Sequence, residues 1–152
     1  MKALIQRVSF GKVTIVNTNE TSSINKGIVI LLGIKKGDTL KNVDEIISKI
    51  LTLKFFSAKD KHFVNNLFEA QAEILVISQF TLYANLNKGT KPSFSNAEEP
   101  KKAEYLYHEF CDKLNKSGLN VKTGKFGAYM QVEIHNDGPV TLLLESTNDL
   151  QI

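Results

Sequence analysis

Cysteine occurs once in these 152 residues, at Cys111, and arginine once, at Arg7. A lone cysteine has no disulfide partner within the chain, and no Cys/His spacing resembles a zinc site, so the pattern fits a reducing compartment, the cytoplasm. One arginine against 18 lysines removes bidentate guanidinium reading of base edges. A DNA partner is therefore not expected, and any RNA contact should fall mainly on the phosphate backbone. The longest apolar run, Ile28 to Ile34, is too short to span a bilayer, and the first residues lack an apolar signal-peptide core. A soluble chain with no membrane association is expected. Phosphate-binding and dinucleotide-binding glycine patterns are missing, as are a nucleophile with its base and a metal-ligand cluster. No cofactor and no metal are therefore expected. His62, His108 and His135 share no signature spacing and are read as structural or solvated.

The net charge of +3 permits an anionic partner without requiring one. A chain of this length buries about 68–70% of its unfolded surface, enough for one core, so residues 1–152 are read as a single domain. Lys2 to Ser9 and Lys12 to Val16 alternate as two strands of a hairpin joined at Phe10-Gly11. Gly27 to Ile34 is continuously apolar, as a central strand covered on both faces should be. Asp38 or Thr39 can cap a helix whose buried stripe is Val43, Ile46, Ile47, Ile50 and Leu51. Leu53 to Phe56 is a short strand candidate. Ser57 to Gln71 reads as a polar loop whose Phe63, Leu67 and Phe68 reach the core. Pro100 opens a second helix with the stripe Ala103, Leu106, Tyr107, Phe110, Cys111 and Leu114, which Gly118 stops.

Three stretches carry candidate chemistry. Glu73 to Tyr83 begins as a buried strand and then turns polar at Ser78, Gln79 and Thr81. That switch suits both a pocket lining and a strand emerging into solvent. Asn85 to Asn96 is an irregular loop whose Lys88, Lys91 and Phe94 fit either a solvated segment or an RNA-facing one. Asn136-Asp137-Gly138-Pro139-Val140-Thr141 reads as a hairpin turn between Tyr129–Ile134 and Val140–Leu144. Pro139 has no N–H to give the ladder, so the tip is stiff, rich in carbonyl acceptors and suited to an ammonium group.

Ser78-Gln79-Phe80-Thr81-Leu82 and Asn136-Asp137-Gly138-Pro139-Val140-Thr141 closely resemble the two signature motifs of the D-aminoacyl-tRNA deacylases, which remove D-amino acids wrongly attached to tRNA. Ile5-Gln6-Arg7-Val8, Lys26-Gly27, Leu31-Leu32-Gly33, Pro92-Ser93-Phe94-Ser95 and Gly124 to Met130 are similar to further family segments, in the family's order. Phe63-Val64-Asn65-Asn66 and Gln71-Ala72 depart from the family pattern, and Lys91 stands where many relatives have arginine.

The resemblance implies an α+β fold, with antiparallel-rich β-sheets packed face to face and two main helices on one side. It also implies a homodimer with active sites at the subunit interface. Its implied substrates are D-aminoacyl-tRNA and, because glycine lacks a Cβ, glycyl-tRNA. The implied catalytic residues are Ser78, Gln79, Phe80 and Thr81, with Gly138, Pro139, Asn136, Phe126 and Met130 binding substrate and Lys88 and Lys91 binding tRNA. The Gly138–Pro139 bond would be cis and would enter the partner's site, rejecting L-residues. Either Thr81 or the terminal ribose 2′-hydroxyl would drive hydrolysis. The reading from another class is a non-catalytic dimeric protein that binds tRNA ends or amines on the same scaffold.

Overall fold

The computed structural model describes residues 1–87 and 89–146. A long strand β1 (Lys2–Ile15) leads to β2 (Thr21–Ile24), β3 (Gly27–Gly33) and helix α1 (Leu40–Thr52). Two short strands, β4 (Phe56–Ala58) and β5 (Lys61–Asn65), precede β6 (Glu73–Ser78) and a 3-10 turn (Phe80–Tyr83). Helix α2 (Pro100–Lys116), β7 (Val121–Thr123) and a long β8 (Met130–Glu145) complete the order. The architecture is α+β. Six strands form one sheet in the order β2-β1-β3-β6-β7, with β8 on the other side of β1. β1 is antiparallel to β2, β3 and β8, whereas β3, β6 and β7 run parallel. β4 and β5 pair apart from this sheet as a small ribbon.

The face-to-face packing arises within this one sheet. Residues 2–8 of β1 pair with β3 and residues 11–14 with β2. Ala3 and Ile5 join the core beneath the two helices, whereas Val8 and Val13 join a second cluster with Ile24, Val29, Leu75 and Ile77. The far half of β1 therefore folds over the face of β3 and β6 that the helices leave open. Burial of a large aliphatic side chain contributes about 1.5–3 kcal/mol, so each cluster is a substantial share of the fold's stabilisation.

Both helices bury the faces their periodicity predicts. Val43, Ile46, Ile47 and Ile50 are buried on α1, with the expected Leu51 half-buried against them, and all six expected positions are buried on α2. Thr39 caps α1, its N–H donating to Asn42 Oδ1 at 2.9 Å. The Met1 ammonium forms a fully buried ion pair with Asp38 at 2.8 Å and donates to Ser146 Oγ at 2.8 Å. Asp38 also accepts the Lys35 N–H at 2.7 Å, which fixes the turn that leads into α1.

Two expected hairpins are absent. Phe10-Gly11 lies inside β1, and Gly11 marks a close approach of layers: a Cβ there would stand 2.9 Å from Val29 Cγ2. Nor does Asn136–Gly138 reverse the chain, because Met130–Glu145 is one strand paired along β1. Thr141 faces Gln6 and Asn136 faces Val8, so residues 137–140 stand opposite Arg7 alone. The motif is an excursion from a continuous strand. The polar loop expected from Ser57 contains the β4–β5 ribbon, and of Phe63, Leu67 and Phe68, all expected to reach the core, only Leu67 does so, with Phe63 and Phe68 exposed.

Candidate active site

β6 ends at Ser78. The Gln79 N–H donates to Leu32 O at 2.8 Å, and the chain then coils into the 3-10 turn instead of continuing as the strand expected to Tyr83. The partner strand β3 stops at Gly33, which leaves no ladder to extend. The N–H groups of Phe80 and Thr81, at the start of the turn, have no acceptor within it. Tyr83 closes the turn with a buried ring, over which Lys2 Nζ lies 5.1 Å from the centroid.

Ser78, Gln79 and Phe80 form one wall of a cavity of about 470 Å³, with Phe126, Tyr129 and Met130 also lining it. Phe126 is positioned against Tyr107 of α2, ring centroids 5.7 Å apart, and Tyr107 is itself anchored by donating to Val76 O at 2.9 Å. Phe80, 58% exposed, meets Phe94 edge-on at 4.9 Å. The loop before Phe94 is closed by paired backbone bonds between Asn85 and Ser93, at 2.7 and 3.0 Å. Lys91 is exposed on that loop, whereas Lys88 lies outside the described residues.

Thr81 is exposed and does not line the cavity; its hydroxyl accepts a hydrogen bond from Gln79 Nε2. Among the described residues no general base is bonded to it. His62 contacts Ser57 Oγ at 3.2 Å, His108 lies 3.8 Å from Glu104 and His135 packs on Phe10. Among the described residues no group of three or more His, Cys, Asp or Glu could hold a metal ion. Cys111 is a core residue, and burial above all pushes its thiol up to about 12.

Gly138, Pro139 and Asn136 do not line this cavity within the chain. The Gly138–Pro139 bond is cis. Gly138 has φ +128°, and a Cβ on it would sit 3.0 Å from Arg7 Nη2 and from the Val140 backbone nitrogen, so a side chain is strained there. Arg7 holds the excursion. Its Nε donates to Asp137 O at 3.0 Å and pairs with the Asp137 carboxylate at 3.2 Å, while Nη1 donates to Phe55 O at 2.8 Å.

Two site residues escape sequence reasoning. Arg7 is visible as the lone arginine and within the segment Ile5-Gln6-Arg7-Val8, and nothing local says what it holds. Glu98 lines the cavity and accepts from Gly37 N–H, Glu99 N–H and Lys102 Nζ at 2.8–3.0 Å. Burial works against its charge, yet those bonds outweigh it and keep the carboxyl below the usual carboxylate range.

A family model described as D-Tyr-tRNA(Tyr) deacylase matches residues 4–145. The chain belongs to this deacylase family. It is 48% identical to the D-aminoacyl-tRNA deacylase of Aquifex aeolicus, over 96% of this chain and 98% of that one. The D-aminoacyl-tRNA deacylase of Drosophila melanogaster is 47% identical, over 96% and 92%. Among solved structures, the c-Myc DNA Unwinding Element Binding Protein superposes with a TM-score of 0.88 at 45% identity, covering 97% of this chain and 99% of that one. A probable eukaryotic D-amino acid tRNA deacylase superposes with a TM-score of 0.84 over 94% and 97% of the two chains; at 16% identity that likeness speaks for the deacylase fold alone.

Proposed function

We propose that residues 1–152 act as one cytoplasmic deacylase domain that hydrolyses the ester between a D-amino acid and the 3′ end of tRNA, releasing free amino acid and tRNA. The observation that carries this reading is the cavity where Ser78, Gln79 and Phe80 meet Phe126 and Met130. The terminal adenosine packs between the apolar walls, and the ester carbonyl turns toward the N–H groups of Phe80 and Thr81. As water adds to the carbonyl carbon, those donors stabilise the oxyanion, each contributing about 10²–10³ in rate. The bond to the ribose oxygen then breaks. The Thr81 hydroxyl already accepts from Gln79 and, among the described residues, has no base beside it, which favours assistance by the ribose 2′-hydroxyl.

Chirality is set by exclusion. In the homodimer, each Gly138–Pro139 faces the partner's cavity, and its carbonyls accept from the substrate α-ammonium at about 1.5–3 kcal/mol per bond. An L-residue would drive its Cβ into this wall, a D-residue points outward, and glycyl-tRNA passes because it has no Cβ. Two features favour the shared site: the excursion is held away from its own chain's cavity, and the edge strand β8 exposes Leu142 and Leu143. Lys91, with Lys88, contacts acceptor-stem phosphates, with Asn136 supporting the wall.

Incubation with D-tyrosyl-, glycyl- and L-tyrosyl-tRNA tests this reading. Release from the first two and not the third is expected. Retention of all three esters with tRNA still bound would make the protein a non-catalytic binder of tRNA ends or amines.

A further inference from the structure

The β4–β5 ribbon belongs to no sheet layer and carries none of the residues placed at the cavity. Lys54, Lys59, Lys61 and His62 are exposed on and beside it, with Asp60 the only acidic residue in the stretch. Lys26 adds a further exposed cation, its Nζ 5.4 Å from the centroid of the Phe56 ring. None of Lys26, Lys54, Lys59 and Lys61 is in an ion pair among the described residues. Phe63 is 51% exposed at φ +54°, a left-handed conformation uncommon for a bulky residue. Uncompensated lysines around a displayed aromatic ring match the chemistry of a chain that has both phosphates and unstacked bases.

The ribbon is also tied to the site. The guanidinium that holds Asp137 also bonds Phe55 O, at the foot of β4. The ribbon therefore sits beside the excursion, next to whichever cavity the excursion closes.

We infer that the β4–β5 ribbon is an RNA-binding surface, on which Lys59 and Lys61 contact phosphates and Phe63 stacks on an unpaired base near the tRNA 3′ end. This rests on the proposed deacylase reading, in which the excursion closes over a tRNA terminus. Its chemistry differs from that of the cavity, because it reads nucleotides beyond the terminal adenosine.

Two substrates separate the contributions: D-tyrosyl-tRNA, and adenosine carrying the same D-tyrosyl ester, which has no phosphates or neighbouring bases. For a Lys59→Ala, Lys61→Ala double variant, the KM ratio of tRNA substrate to adenosine ester should rise. The slope of log affinity for tRNA against log salt should flatten by about 0.7 per lysine removed. Phe63→Ala should raise the same KM ratio roughly 5-fold to 100-fold. An unchanged ratio and slope, or equal losses on both substrates, overturns the ribbon assignment. Should the wild-type protein hydrolyse neither ester, the deacylase reading fails. Direct titration with labelled tRNA then decides the ribbon alone: a flattened slope supports it and an unchanged one overturns it.

Discussion

Arg7 Nε lies 3.0 Å from the carbonyl oxygen of Asp137, so the only arginine of the chain grips residues 137–140 across a strand boundary that no backbone ladder spans. The same side chain reaches Phe55 O, which fixes the excursion against the body of the fold.

A lysine at this position keeps the charge and loses the fork. At least one charge-assisted hydrogen bond disappears, with a value of about 1.5–3 kcal/mol. If Gly138–Pro139 forms the proposed wall, Arg7→Lys is expected to lower single-turnover deacylation of D-tyrosyl-tRNA about ten-fold or more, because a displaced wall would no longer orient the ammonium. L-tyrosyl-tRNA measured in parallel should gain relative to the D-ester; an unchanged D/L ratio would show that Arg7 does not position the wall.

Thr81→Ala removes a hydroxyl that accepts from Gln79 and, among the described residues, touches no base. Turnover of D-tyrosyl-tRNA should survive this change within about ten-fold, whereas a substrate ending in 2′-deoxyadenosine should lose about 10²-fold or more, within the range of general acid–base assistance. The reverse pattern would make Thr81 the nucleophile.

Asp38 is fully buried against the Met1 ammonium and the Lys35 N–H. Asp38→Ala leaves that ammonium buried without its counter-charge, so urea denaturation should show a loss of about 3–5 kcal/mol. Asp38→Asn, which preserves shape and one acceptor, should lose less.

Glu98 has its folded pKa depressed, chiefly because hydrogen bonds from Lys102, Gly37 and Glu99 outweigh the opposing effect of burial. The stability it contributes is present above the ordinary carboxylate pKa and lost as pH falls through the lower folded value. Thermal melts of wild type and Glu98→Gln should differ at neutral pH and converge in strong acid. A constant gap across that range would place the effect in packing rather than charge.

Features set by local spacing are legible in the sequence. The stripes of α1 and α2 follow from i, i+3, i+4 periodicity, whereas the polar switch at Ser78 suits both a pocket lining and a strand emerging into solvent. Features set by a distant partner are not. Phe10-Gly11 reads as a hairpin turn, and only Val29 and Leu75 beneath Gly11 make it a close approach instead. Asn136 to Pro139 has the composition of a hairpin, yet the pairing partner is β1, more than a hundred residues earlier, so the same residues bulge instead of reversing. Glu98 looks like a solvated loop acid until Gly37 and Lys102 are brought to it.

Ile77, Met130 and Val132 line the cavity and also belong to, or pack on, the second hydrophobic cluster between the folded halves of the sheet. A substitution that recuts the pocket therefore recuts the core. Pocket shape and foldedness are inherited together, and selection to reshape this pocket would be opposed by selection for a stable chain.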